Sequence, residues 1–134
     1  MAKKDMKSTK TVKKTTKIVT AGNGRIYVST TFNNTIVTVT NEKGDAIAWS
    51  SSGRMGYKGT RKATPFAATQ AVEEVLKKAK ESGVHAVEVF IKGPGVGRDA
   101  ALRAIRGSGI SISMIADITP IPHNGPRQKK RRRV

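Results

Sequence analysis

RIYVSTTFNNTIVTVT, residues Arg25 to Thr40, is the stretch on which the fold turns. Arg25 to Phe32 and Thr35 to Thr40 are rich in β-branched residues with strand-like alternation, and Asn33-Asn34 between them is the turn chemistry of a hairpin. Ile26, Val28 and Thr30 share one face. Working outward, Glu42 to Asp45 is a second polar turn built around Gly44, and Ala46 to Ser50 supplies a third strand. These three segments make an antiparallel meander.

Beyond the meander lies a loop, Ser51 to Thr64, with three glycines and four basic residues. Thr64-Pro65 then begins a helix, since Thr caps and Pro suits the first helical position, and Gly83 ends it. Ala68, Val72, Val75, Leu76 and Ala79 form its apolar stripe, while Glu73 with Lys77 and Glu74 with Lys78 pair on the outside. Val84 to Ile91 reads as a strand, Asp99 to Arg106 as a second helix, and Ile110 to Ile118 as a last strand with Ile110, Ile112 and Met114 on one face. The order is βββαβαβ. Strands joined through helices require right-handed crossovers and parallel pairing, so the expected fold is α/β, a mixed sheet of about five strands with two main helices packed on it.

Charge divides the chain differently. The formal net charge is +17, yet Met1 to Lys17 and Pro120 to Val134 each carry +6, leaving +5 for residues 18–119. This gives a basic N-terminal tail (1–17), one folded domain (18–119) and a basic C-terminal arm (120–134). Like charges repel and the arms offer little apolar surface, so they stay unfolded until a polyanion neutralises them. A pI near 10.8 points to nucleic acid or an anionic membrane surface. The N-terminal arm lacks the Leu, Phe and Trp of an interfacial helix, and no stretch approaches the ~20 apolar residues of a span, so a membrane partner is not expected. With no cysteine and only His85 and His123, neither a disulfide framework nor a zinc site is available. The Lys-rich N-terminus has no apolar run behind it and does not read as a signal peptide.

Two loops have the chemistry of phosphate recognition. Gly93 to Arg98, GPGVGR, lies between a strand and a helix, where free N–H groups and the helix dipole favour an anion. It lacks the Lys-Ser/Thr of a P-loop and the spacing of a dinucleotide site, and Pro94 removes a donor, so Arg98 suggests backbone phosphate rather than free nucleotide. In Gly53 to Lys62, Arg54, Lys58, Arg61 and Lys62 surround Tyr57, which can stack on an exposed base. Aromatic residues are sparse, so recognition is expected to rest on RNA shape and phosphates. No nucleophile elbow or convergent set of acids is present: Glu73 and Glu74 have lysine partners, and Asp45, Asp99 and Asp117 read as turn, cap and strand-end residues. No catalytic residue, metal or cofactor is expected.

FNNTIVTVT (Phe32 to Thr40), SSGRMGYKGTRKATPFAA (Ser51 to Ala68), IKGPGVGRDAALRAI (Ile91 to Ile105) and DITPIPHNG (Asp117 to Gly125), with the ending KRRRV, together closely resemble the family of the eleventh small-subunit ribosomal protein in its bacterial form. The resemblance implies a three-layer, ribonuclease-H-like α/β domain used as a non-catalytic RNA scaffold. It also implies a cytoplasmic place in the ribosome, or the stroma for a plastid form. The partners implied are 16S ribosomal RNA on the platform near the exit site, small-subunit proteins seven and eighteen as neighbours, and the Shine-Dalgarno helix of the messenger close by. The RNA-facing positions it implies are Asn33 and Asn34 in the hairpin turn, and Gly53, Arg54, Tyr57, Lys58, Gly59, Arg61 and Lys62 in the loop. Before the second helix they are Lys92, Gly93, Gly95, Gly97 and Arg98; in the arm, His123, Asn124, Gly125, Arg127, Lys129, Lys130, Arg131, Arg132 and Arg133. The chain departs from the family at Pro126, often Cys, at Gln128-Lys129, in place of a proline pair, and at Arg54-Met55, in place of smaller residues.

Two other classes share some of these features. A non-specific nucleic-acid-compacting protein accounts for the charge without requiring the loop blocks. A ribonuclease-H-like enzyme requires divalent metal and clustered acids. Separately, Asn124-Gly125 offers little hindrance to attack by the glycine nitrogen, so slow isoaspartate formation is expected there.

Overall fold

The computed structural model describes residues 22–134, so the basic N-terminal tail, 1–17, lies outside the described residues. Five strands and two helices follow in the order βββαβαβ: β1 Asn23–Thr30, β2 Thr35–Asn41, β3 Ala46–Ser51, α1 Pro65–Glu81, β4 Ala86–Lys92, α2 Gly97–Gly107 and β5 Ser111–Asp117. They form one mixed sheet of order β3-β2-β1-β4-β5. The meander pairs antiparallel, with Val28 opposite Val37 and Thr38 opposite Trp49, whereas β1, β4 and β5 run parallel, with Tyr27 opposite Phe90. Helical crossovers make that parallel half possible.

The alternation in β1 has its expected consequence. Ile26, Val28 and Thr30 are buried on one face, joined by Val37 and Val39 of β2 and Val87, Val89 and Ile91 of β4. Both helices pack on this face and on each other. Val72, Val75, Leu76 and Ala79 of α1 meet Ala101 and Ile105 of α2 in one continuous core with the strands. Burying each such Val, Leu or Ile is worth about 1.5–3 kcal/mol, so this aliphatic layer is the main source of stability. The opposite face of the sheet carries no helix among the described residues. They supply one helix layer on one sheet, and a third layer would sit on that uncovered face.

Local signals placed the elements well. Thr64 Oγ1 accepts the Ala67 N–H at 3.4 Å and Pro65 opens α1. Lys78 pairs with Glu74 at 2.6 Å, but no ion pair joins Glu73 and Lys77. The Ser51 to Thr64 loop is partly ordered by a short 3-10 turn, Gly59–Ala63. Helix α2 starts two residues before Asp99, because Gly97 and Arg98 already belong to its first turn.

The last strand differs from its simple alternation. Val87 lies opposite Ile112 but Glu88 lies opposite Met114, so Ser113 is the extra residue of a bulge. One inserted residue exchanges faces downstream. Met114 is thereby moved to the uncovered face, and Ile115 turns to the helix side, where at the sheet edge it stays 55% exposed.

Candidate nucleic-acid interface

The parallel half of the sheet brings the ends of β1, β4 and β5 to one edge, and the antiparallel meander adds the start of β2 and the end of β3. Every loop expected from the sequence to face RNA leaves from this carboxyl edge, as do the first turns of both helices. It is where an open α/β sheet ordinarily binds its ligand.

The hairpin turn is held by its own polar groups. Thr31 Oγ1 accepts the N–H of Asn33 at 3.3 Å and of Asn34 at 3.0 Å, and Asn34 Oδ1 accepts the N–H of Thr35 at 2.9 Å. Asn33 is exposed, while Asn34 is half-buried and spends its carbonyl on the turn. Beside them Phe32 projects from the turn, 75% exposed.

GPGVGR fits against that turn. A Cβ on Gly93 would stand 2.1 Å from the Thr30 carbonyl oxygen, one on Gly95 2.7 Å from that of Thr31, and one on Gly97 2.4 Å from Thr35 Oγ1. Gly93 also has φ +90°, a conformation L side chains rarely adopt. The three glycines therefore let the β4–α2 turn lie against the β1–β2 turn. Arg98 is engaged inside the protein: it donates to the Gly93 carbonyl at 2.8 Å and to Asp117 Oδ2 at 2.7 Å. Thr119's hydroxyl and then Arg98 hold the Asp117 carboxyl well below the usual carboxylate range. Within the protein, Gly93, Gly95, Gly97 and Arg98 thus shape and clamp the edge.

The Gly53 to Lys62 loop is tied to the same edge, where the Ser52 N–H donates to the Thr35 carbonyl at 3.0 Å. Arg54, Lys58, Gly59 and Arg61 are exposed and Lys62 half-buried. Arg54 lies over the Trp49 ring, 4.6 Å from its centroid. Tyr57 is held in place: its hydroxyl donates to Gln70 Oε1 at 2.9 Å and it meets the Phe66 ring edge-on.

The C-terminal arm leaves from β5 at a fixed root. The Gly93 N–H donates to Thr119 Oγ1 at 3.1 Å, and the Thr119 N–H and hydroxyl both donate to Asp117 Oδ1. From Pro120 to Val134 every residue is exposed and none is in a helix or strand, including His123, Gly125, Arg127, Lys129, Lys130, Arg131, Arg132 and Arg133. Asn124 takes φ +60° within this segment. The cations of the Gly53 to Lys62 loop and Lys92, without an ion-pair partner among the described residues, thus share one end of the molecule with the root of the arm. Glu42 and Asp45 lie at the other.

Sequence reasoning missed the placement of the aromatic residues. None of the six is in the core cluster. Phe32, Tyr57 and Phe66 stand at the carboxyl edge, with Phe66 63% exposed, and Tyr27, Trp49 and Phe90 lie on the uncovered sheet face. Their small number concealed that all were on the surface. No group of three His, Cys, Asp or Glu able to hold a metal occurs among the described residues.

Residues 24–133 match a family model described as Ribosomal protein S11. The chain is 52% identical over 134 residues, all of both chains, to the small ribosomal subunit protein uS11 of Christiangramia forsetii. It is 55% identical over 113 residues, 84% of this chain and 87% of the relative, to the protein of the same name from Borreliella burgdorferi, and equally to that of Borreliella afzelii.

Proposed function

The chain belongs to the ribosomal protein S11 family, and from that premise we propose how its carboxyl edge works within the small ribosomal subunit. It is a structural constituent of that subunit, a ribonucleoprotein component of cytoplasmic translation and not an enzyme. The carboxyl edge binds 16S ribosomal RNA on the platform near the exit site, beside small-subunit proteins seven and eighteen and close to the Shine-Dalgarno helix. One observation carries this reading. Three loops separated in sequence and the root of the basic arm converge on one end of the sheet through direct contacts, Gly93 to Thr30, Ser52 to Thr35 and Gly93 to Thr119.

The parts act differently. Asn33 and Asn34, Arg54, Lys58, Gly59, Arg61 and Lys62, and Lys92 meet phosphates and sugar edges of folded RNA. The glycines at 93, 95 and 97 and Arg98 keep that surface in shape. Residues 18–119 form the scaffold; the tail, 1–17, and the arm, 120–134, neutralise phosphates that would otherwise repel as RNA helices pack together.

A competition experiment tests this reading against general nucleic-acid compaction. Labelled platform RNA from 16S, bound to the full chain, is challenged with bulk DNA and, separately, with the same RNA unlabelled. Retention against a large excess of DNA is expected. Equal competition by both would replace the proposal with non-specific binding.

A further inference from the structure

We propose that the uncovered face of the sheet is a docking surface for another protein, not for RNA; this rests on the assembly reading above. The face is laid out by register. Trp49, Thr38, Tyr27, Phe90 and Ala116 form one row across all five strands, with Ile36 beside it on β2 and Met114 on β5. Tyr27 and Phe90 stack with centroids 5.2 Å apart. Trp49, Ile36 and Met114 are 52%, 45% and 43% exposed, in a protein whose core holds no aromatic side chain.

Charge selects the occupant. RNA binding draws its affinity from unpaired cations that displace counterions. Within this face Arg25 of β1 is neutralised by Glu88 at 3.1 Å, and the cations without an ion-pair partner among the described residues, Lys92 at the end of β4 and Arg54 beside Trp49, stand only at its margin toward the carboxyl edge. Stacking also takes one face of each of the Tyr27 and Phe90 rings away from a base. An apolar centre of Trp and Tyr with Arg at the rim is the composition of a protein interface. A second copy of this chain is a poor occupant, because each brings a net charge of +17. The surface fits an apolar protein segment with a carboxylate placed to receive Arg54.

Size sets where the contact forms. Five strands at about 4.8 Å spacing give a face roughly 19 Å across, some 400 Å². That is about half the ~800 Å² per partner of a stable pair. The contact is therefore expected inside the assembled particle, where neighbours are held at high effective concentration.

The test is photocrosslinking in small subunits reconstituted from 16S RNA, the full set of small-subunit proteins and the full chain with Trp49→p-benzoylphenylalanine. A second chain with Ile36→p-benzoylphenylalanine covers the case in which Trp49 cannot be replaced. Crosslinks from either position to peptides of one small-subunit protein are expected. Trp49→Ala should then weaken retention of that protein about 30-fold while leaving the salt dependence of RNA binding unchanged. Crosslinks to RNA, or none in subunits that contain the chain, would overturn the proposal. Failure of the unmodified chain to enter subunits would instead remove the assembly reading beneath it.

Discussion

Arg98 Nη2 lies 2.7 Å from Asp117 Oδ2, so the first turn of α2 is ion-paired to the last residue of β5. The same guanidinium reaches the carbonyl of Gly93, and the same carboxylate binds Thr119. One arginine thus joins the β4–α2 turn to the root of the arm.

Asp117→Asn should therefore lower the melting temperature near neutral pH. The sign follows from the depressed carboxyl: its contribution is complete above the ordinary value of 3.8 and is lost as pH falls below it through the lower folded value. Thermal melts of both proteins across acid pH should show a constant gap above about pH 5 that closes on acidification. A gap that widened in acid would contradict this account.

Gly93→Ala should destabilise the fold by about 3 kcal/mol or more, since the new methyl meets the Thr30 carbonyl in a left-handed backbone. Gly107→Ala, where nothing lies within 4 Å at the end of α2, should be neutral or stabilising by about 0.5–1 kcal/mol. Urea unfolding of the two variants measures the contrast.

Deleting Gln128 to Val134 removes five Lys and Arg. The slope of log affinity for platform RNA against log salt should shrink by about 3.5–4.5, with urea stability unchanged because the arm is exposed throughout. Lys58→Ala or Arg61→Ala should each reduce it by about 0.7–0.9. Arg98→Ala should leave the slope alone and lower stability instead. Filter binding at several salt concentrations separates these results.

Ile105→Ala, at a fully buried site between α2 and the sheet, should cost about 2–5 kcal/mol. Ile115→Ala, on the exposed edge produced by the β5 bulge, should stay within about 0.5 kcal/mol. Equal losses in denaturant titrations would mean that Ile115 is packed after all.

Local rules made most of the fold legible. The Asn33-Asn34 turn, the Thr64-Pro65 start and the stripe from Ala68 to Ala79 act within a few residues of themselves, and the expected elements formed there. What stayed hidden depends on distant partners. Period-two reading of Ile110, Ile112 and Met114 could not include the bulge at Ser113, which exists in pairing with β4. The pairing of Arg98 with Asp117 was hidden because the two are nineteen residues apart. The glycines of GPGVGR signalled close approach correctly, but only the fold shows that the approaching backbone is the hairpin turn.

The fixed root of the arm at Thr119 has a kinetic consequence. Fifteen residues span at most about 50 Å, so if the loops hold RNA as proposed, the arm searches a small volume around its attachment rather than bulk solvent. On that proposal its engagement would be a unimolecular second step, and release would require both footholds to open within the same interval. The arm would then govern how long the protein stays more than how fast it arrives.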